Sequence, residues 1–156
     1  MKIDHRIENL SEAWLTVRAL TDDLMMADVP EGDVTRWREV IRVTDQGVVI
    51  RRRSQGRVVE AIYEADAQTR SLTRVVEGVQ FPLIRQRCRR FVCQPTFGEM
   101  VGSVPRQLTV ALHLEIETAS PAAGIPAPPL VLETSVSPDF LNLRLQGRYL
   151  HQGLPR

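Results

Sequence analysis

Residues 7–28 have the sequence IENLSEAWLTVRALTDDLMMAD, in which apolar residues recur at steps of three and four. Steps of this length place side chains on one face of an α-helix. We predict a helix over about residues 7–28 that ends before Pro30, because proline cannot continue the helical hydrogen-bond ladder. The predicted packing face comprises Leu10, Trp14, Val17, Leu20 and Leu24. A single apolar face needs a partner, so we expect the strands that follow to form a sheet that packs against it.

Turn residues divide the rest of the chain into short apolar runs that are typical of strands, expected between about residues 38 and 150. Short gaps with glycine favour antiparallel hairpins, so we predict a four-stranded meander over residues 38–77. A long strand is predicted over residues 83–94. Residues 106–118 alternate between apolar and polar side chains, as expected of a half-buried strand.

The last part of the chain is less regular. Residues 119–129 contain four prolines and are predicted to form a loop, and residues 140–150 to form a last strand or a mixed tail. The predicted fold class is α+β: a long N-terminal helix packed on an antiparallel β-sheet. At 156 residues, a single domain over residues 1–156 is the expectation.

The composition is that of a soluble globular protein, with 43% hydrophobic and 25% charged residues. A net charge of +1 does not favour nucleic-acid binding, which normally requires a strong basic excess. Aromatic residues that could stack on bases make up only 5% of the chain. If the arginine-rich strands are neighbours, they form a possible interaction surface for another protein, with Arg51, Arg53, Arg85, Arg87 and Arg89.

The sequence contains no recognisable catalytic, cofactor-binding or metal-binding motif. His113 is expected on the polar face of its strand, facing solvent or a neighbouring strand. Cys88 and Cys93 are five residues apart, too far for a disulfide in a straight strand, so they are either two buried thiols or a bridge across a turn. We therefore expect a binding or assembly domain without a cofactor, not an enzyme. No run of the sequence approaches the 18 or so apolar residues that span a membrane.

The order of the predicted helix and strands resembles that of a known protein family. Residues 59–74 resemble an extended run "v-x-Y-x-x-d-x-x-t-x-x-L-x-R" found in minor pilins and type II secretion pseudopilins of the PulJ (GspJ)/PilW type, with the matches Tyr63, Asp66, Thr69, Leu72 and Arg74. The strand over residues 105–116 and the threonine-containing strand over residues 132–138 resemble later strands of the same family. Together with the helix, the similarity covers roughly residues 7–145.

This resemblance implies a structural subunit that helps to initiate or cap a type IV pilus or a type II secretion pseudopilus through protein–protein contacts. Its partners would be other minor pilins or pseudopilins of the same filament. Family members begin with a processed leader and an apolar helix that anchors them in the inner membrane. Neither is present here, so we expect both to precede Ile7 in the native protein. Its location would then be the bacterial inner membrane, the periplasm or a cell-surface filament.

Two other interpretations remain open from the sequence. The chain is alternatively a small ligand-binding α+β or β-barrel domain whose sheet encloses an apolar molecule. It is also compatible with a chaperone or an adaptor of a secretion apparatus. A pilin requires a packed helix–sheet core, whereas a ligand-binding domain requires an enclosed apolar cavity.

Overall fold

The computed structural model describes residues 5–118 and 128–152, with side chains over residues 8–118 and 128–147. The proline-rich loop predicted over residues 119–129 falls almost entirely outside the described residues. Two α-helices and ten strands are present in the described ranges. The helices are α1 (His5–Met25) and α2 (Asp139–Gln152). Two short 3-10 helices, Pro30–Gly32 and Val34–Glu39, follow α1.

The first five strands form one antiparallel meander in chain order. They are β1 (Ile41–Val43), β2 (Gly47–Ser54), β3 (Arg57–Asp66), β4 (Ser71–Val76) and β5 (Val79–Ile84). Two of the hairpins have two-residue turns whose central residues both have positive φ: Gln55 and Gly56 (φ 48° and 79°), then Glu77 and Gly78 (φ 50° and 80°). Paired positive φ values match the right-handed twist of the flanking strands.

The remaining strands form two smaller antiparallel sheets. The strands are β6 (Cys88–Phe97), β7 (Met100–Val101), β8 (Val104–Pro105), β9 (Leu108–Ile116) and β10 (Leu130–Val136). The order β10–β9–β6 makes a three-stranded sheet, and β7 pairs with β8. The alternating burial of β9 matches its alternating sequence, since every second residue from Leu108 to Ile116 is buried.

The predicted fold class, a long helix packed on an antiparallel sheet, is wrong. Strands predominate among the described residues, in three antiparallel sheets, and the N-terminal helix ends at Met25. The single strand predicted over residues 83–94 is interrupted because Gln86 adopts a left-handed conformation (φ 61°). The chain turns there, so β5 and β6 belong to different sheets.

The strand or tail predicted over residues 140–150 is a helix. Leu141, Leu143 and Leu145 alternate with polar residues, which favours a strand by periodicity. In α2, Leu141 and Leu145 are buried and Leu143 is exposed, as expected of residues four and two apart on a helix. Residues 34–39 form a 3-10 helix instead of the start of the predicted meander.

One hydrophobic core lies between α1, the five-stranded sheet and the three-stranded sheet. Leu20 and Leu24 contribute from α1, and Tyr63 is the largest fully buried side chain. The Tyr63 ring stacks on Phe91 of the other sheet, with ring centroids 6.1 Å apart. Burial of these side chains supplies most of the favourable free energy that holds the two sheets and the helix together.

Candidate functional site

The buried carboxylate of Asp23 connects α1 to three neighbouring strands. Arg74 binds it through two hydrogen bonds of 2.7 Å, and Arg52 donates a third of 2.6 Å. The Tyr63 hydroxyl donates a fourth hydrogen bond to the same carboxylate. Arg52, Tyr63 and Arg74 lie on β2, β3 and β4, and Tyr63 and Arg74 are directly paired across the sheet. We call these four residues the Asp23 cluster.

Two members of the Asp23 cluster, Tyr63 and Arg74, have raised pKa values. Burial, followed by the negative charge of Asp23, raises the pKa of the Tyr63 hydroxyl far above its usual value, so Tyr63 remains a donor. The hydrogen bonds to Asp23 raise the pKa of Arg74. Two guanidinium groups therefore face one carboxylate. Because Asp23 is only 1% exposed, these partners are required to offset the cost of burying its charge.

The residues that carried the family resemblance have structural roles around this cluster. Tyr63 and Arg74 belong to it, and Leu72 is fully buried in the core beside them. Asp66 accepts hydrogen bonds from the backbone N–H groups of Gln68 and Thr69, which shapes the turn between β3 and β4. These bonds lower the pKa of the Asp66 carboxyl. The motif thus joins a helix to a hairpin.

A second buried carboxylate, Asp28, lies just after α1. It accepts hydrogen bonds from the backbone N–H of Val29 (2.9 Å) and from Arg53 Nε. Arg144 Nε of α2 lies 2.7 Å from Asp28 Oδ1, within ion-pair distance but not aligned for a hydrogen bond. Asp28 therefore brings together the end of α1, strand β2 and helix α2.

The backbone on either side of Asp28 extends the five-stranded sheet. Asp28 N–H donates to Arg51 O, and Arg53 N–H donates to Met26 O. Ala27 forms an isolated antiparallel bridge with Arg52. The three residues after α1 thus cover the part of the β2 edge that β1 leaves open, which satisfies backbone groups that would otherwise be unpaired.

Part of the exposed surface of α1 is apolar. Leu10 is 57% exposed and Trp14 is 67% exposed, so the prediction that these two residues pack against the sheet is wrong. Val17 is half-buried against the core, and Leu20 and Leu24 are fully buried. Four residues apart, Leu10 and Trp14 lie on the same side of α1 and form an exposed apolar patch near its N-terminal end.

Smaller and polar residues occupy the buried positions of the N-terminal half of α1. Asn9, Ala13 and Thr16 are at most 2% exposed. Asn9 Nδ2 donates to Glu117 O (3.0 Å), and Asn9 Oδ1 accepts from Arg87 (3.0 Å). The buried face is therefore displaced by about one residue from the apolar stripe that the sequence suggests.

The five arginines predicted as a possible interaction surface do not form one stripe. Arg51 and Arg53 lie on β2, where they face Glu60 and Asp28. Arg85 and Arg87 lie in the connection between β5 and β6, and Arg87 contacts α1 through Asn9 and Glu8. Arg89 lies on β6, 3.9 Å from Glu115. Ion pairing within the chain accounts for most of these residues.

His113 lies on the outer face of the three-stranded sheet, between two carboxylates. Its Nδ1 is 2.8 Å from Glu133 and its Nε2 is 2.8 Å from Glu115. Hydrogen bonds first to Glu115 and then to Glu133 raise the pKa of His113. The sequence predicted a solvent-facing or cross-strand role for His113, and the contact with Glu133 of β10 is a cross-strand pair.

The two cysteines are buried free thiols. Burial raises the pKa of Cys88 to about 11 and that of Cys93 to about 12. A thiol with so high a pKa is almost entirely protonated at neutral pH and is a poor nucleophile. Over the described residues, no group of three or more histidine, cysteine or acidic side chains is placed to hold a metal ion.

Several residues of the site were missed from the sequence. Asp28, Arg52 and Arg144 have no local motif, and only the three-dimensional pairing reveals them. Asp23 had one usable signal: it lies three residues after Leu20 and next to Leu24, so its charge must have a buried partner if the helix packs through those leucines. None of the helices in the described ranges has the length and apolar character needed to cross a membrane. No family model matches the chain, and neither does any curated protein or solved structure.

Proposed function

We propose that the chain is a structural subunit of a minor pilin or pseudopilin type, which assembles with other subunits through protein–protein contacts. The observation that carries the proposal is that α1 has both a buried side and, about one residue further round the helix, an exposed apolar side. One face is joined to the sheet by the Asp23 cluster, whereas the other presents Leu10 and Trp14 to solvent. A helix that must pack against neighbouring subunits requires both a firm attachment and a free apolar face.

The resemblance of residues 59–74 to the PulJ (GspJ)/PilW type supports the same proposal. Tyr63 and Arg74, which belong to the resembling motif, are two of the three side chains that hold Asp23. In a filament subunit, these two residues of the motif would keep the helix attached to the sheet when the filament is under tension. The proposed partners are other minor pilins or pseudopilins, and the proposed location is the inner membrane and periplasm.

The mechanism in this proposal is assembly by complementary surfaces. Exposed aromatic side chains are enriched in protein interfaces because they bury a large apolar area at low entropic cost. Trp14 is such a side chain, with Leu10 one helical turn away. Burial of these two side chains against a partner helix would contribute roughly 3–5 kcal/mol before the costs of association.

The proposal is tested by co-assembly with the soluble domains of minor pilins or pseudopilins from the same organism. Wild-type protein is expected to form a complex in size-exclusion chromatography with light scattering. Leu10→Ala and Trp14→Ala are expected to weaken that complex at least tenfold. Leu143→Ala is the matched control because Leu143 is an exposed leucine of α2, at 66% exposure.

Two results would overturn the proposal. One is equal binding by the Trp14→Ala and Leu143→Ala variants. The other is a native reading frame that starts at Met1, with no leader and no stretch of roughly 20 apolar residues before Ile7. Among the described residues, nothing favours the alternative of a ligand-binding domain that encloses an apolar molecule. The grooves at Asp28 and beside His113 both open to solvent, and buried side chains of α1 and of the two larger sheets belong to one hydrophobic core.

A further inference from the structure

A solvent-open groove of about 540 Å³ lies beside Asp28. We call it the Asp28 groove. Residues 29–32 form one wall, the hairpin between β2 and β3 forms another, and Arg144 of α2 closes one end. Three arginines line it: Arg53, Arg57 and Arg144. Apolar walls at Val29, Pro30 and Val58 reduce the hydration of charges inside the groove, which strengthens electrostatic interactions there.

Asp28 leaves positive charge unneutralised in this groove. Arg53 and Arg144 both face the single Asp28 carboxylate, so the three side chains carry a net charge of +1. Among the described residues, each guanidinium approaches Asp28 through Nε, and no side-chain hydrogen bond is made by its Nη groups. Both guanidinium groups also lie over the Phe140 ring, at 5.7 Å and 5.3 Å from its centroid.

The third arginine stands at the rim. Arg57 is 66% exposed and pairs with Glu77, outside the groove. One acidic residue, the exposed Glu31, lies at the opposite rim and has positive φ (54°). The groove thus combines two partly buried guanidinium groups, an exposed cation at one rim and a single carboxylate at the other.

We propose that the Asp28 groove binds an oxyanion, either a carboxylate or a phosphate group, between Arg53 and Arg144. Guanidinium groups present parallel N–H donors that match two oxygen atoms of such a group. The bound anion would supply the charge that Asp28 alone does not provide. Glu31 would compete by repulsion and Arg57 would attract the incoming anion. This site is separate from the apolar patch on α1 and does not depend on filament assembly.

The test uses the full chain, labelled with ¹⁵N and titrated with succinate and, separately, with inorganic phosphate. Saturable shifts of the Gly32, Gly56 and Val58 amide signals are expected for at least one of the two anions. Comparison of the two titrations identifies which oxyanion the groove prefers. Chloride at matched ionic strength measures the contribution of general screening.

Variants at the rim avoid disturbing the buried charges. We expect Glu31→Gln to strengthen binding and Arg57→Gln to weaken it, each about three- to tenfold, as Coulomb interactions over several ångströms in a partly hydrated groove predict. Arg70→Gln is the matched control, because Arg70 is 57% exposed and pairs with Glu117 elsewhere on the surface. The proposal is overturned if neither anion gives saturable shifts beyond those of chloride, or if all three variants change the affinity equally.

Discussion

Replacing Asp23 with asparagine keeps the shape of the side chain and removes the one negative charge that Arg52 and Arg74 share. Loss of one partner from a buried ion pair typically costs about 3–5 kcal/mol. The two arginines are 21% and 23% exposed, so water can partly solvate them after the change. Asparagine also retains one acceptor for Tyr63 or Arg74. We therefore expect the free energy of unfolding to fall by roughly 2–4 kcal/mol.

Urea denaturation followed by circular dichroism and tryptophan fluorescence measures this loss. A fall of that size corresponds to a decrease in Tm of about 4–16 °C for a chain of this length. The matched control is Asp22→Asn, which makes the same chemical change one residue earlier, at an exposed position. Its effect is expected to stay within about 0.5 kcal/mol, as for most surface substitutions.

The comparison of these two variants tests whether the hydrogen bonds to Asp23 hold α1 on the sheet. If Asp23→Asn and Asp22→Asn have equal free energies of unfolding, the four hydrogen bonds to Asp23 do not hold α1 on the sheet. The physical reasoning behind the Asp23 cluster would then fail, and with it the main support for the proposed attachment of the helix. A lower urea m-value for Asp23→Asn alone would instead show that less surface is exposed on unfolding, as expected if α1 is already detached in the native state.

Two further predictions concern other polar contacts. Asn142→Ala removes the hydrogen bonds of this side chain with Leu108 N–H and Leu108 O. Because two buried backbone groups lose their partners, we expect the free energy of unfolding, measured by urea denaturation, to fall by about 2–4 kcal/mol. A fall of less than about 0.5 kcal/mol would contradict this prediction. His113 has a raised pKa, so its charged form stabilises the fold below the unfolded pKa of about 6.5, and this contribution disappears as the pH rises through the folded value. The Tm difference between wild type and His113→Gln should therefore be largest just below about pH 6.5, where the imidazole is charged and Glu115, whose pKa is lowered by His113, is still ionised. It should vanish above the folded pKa of His113, and a difference that grows as the pH rises through that value would refute the prediction.

Local sequence signals predicted the turns better than the packing. The glycine-containing gap at residues 54–56 is a hairpin turn, as expected, because a two-residue turn depends on local backbone conformation. The helix over residues 7–28 was also expected, and α1 spans His5–Met25. Its orientation was not predicted, since hydrophobicity alone assigns Leu10 and Trp14 to the core. The buried polar residues that displace them, such as Asn9, find their partners about 80 to 110 residues away, at Arg87 and Glu117.

The site around Asp28 could not be predicted from the sequence because its residues are also far apart along the chain. Arg53 was noted as a surface residue, but its partner Asp28 and its neighbour Arg144 are separated from it by 25 and 91 positions. The alternating leucines of residues 141–145 then suggested a strand, which would have placed Arg144 elsewhere. In the structure Leu141 and Leu145 are both buried, one helical turn apart, and the helix they belong to brings Arg144 to Asp28.

The continuous cover of the β2 edge has a mechanical consequence. The backbone hydrogen bonds of Met26 and Asp28 to β2 follow directly after the last turn of α1. The ion pairs of Asp23 precede these bonds along the chain, and those of the Asp28 side chain lie at their end. A pulling force on the N-terminal end of α1 would load these bonds and ion pairs together, with no slack segment between helix and sheet. Helix and sheet should therefore respond to tension as one stiff body, and rupture should require several contacts to break at once.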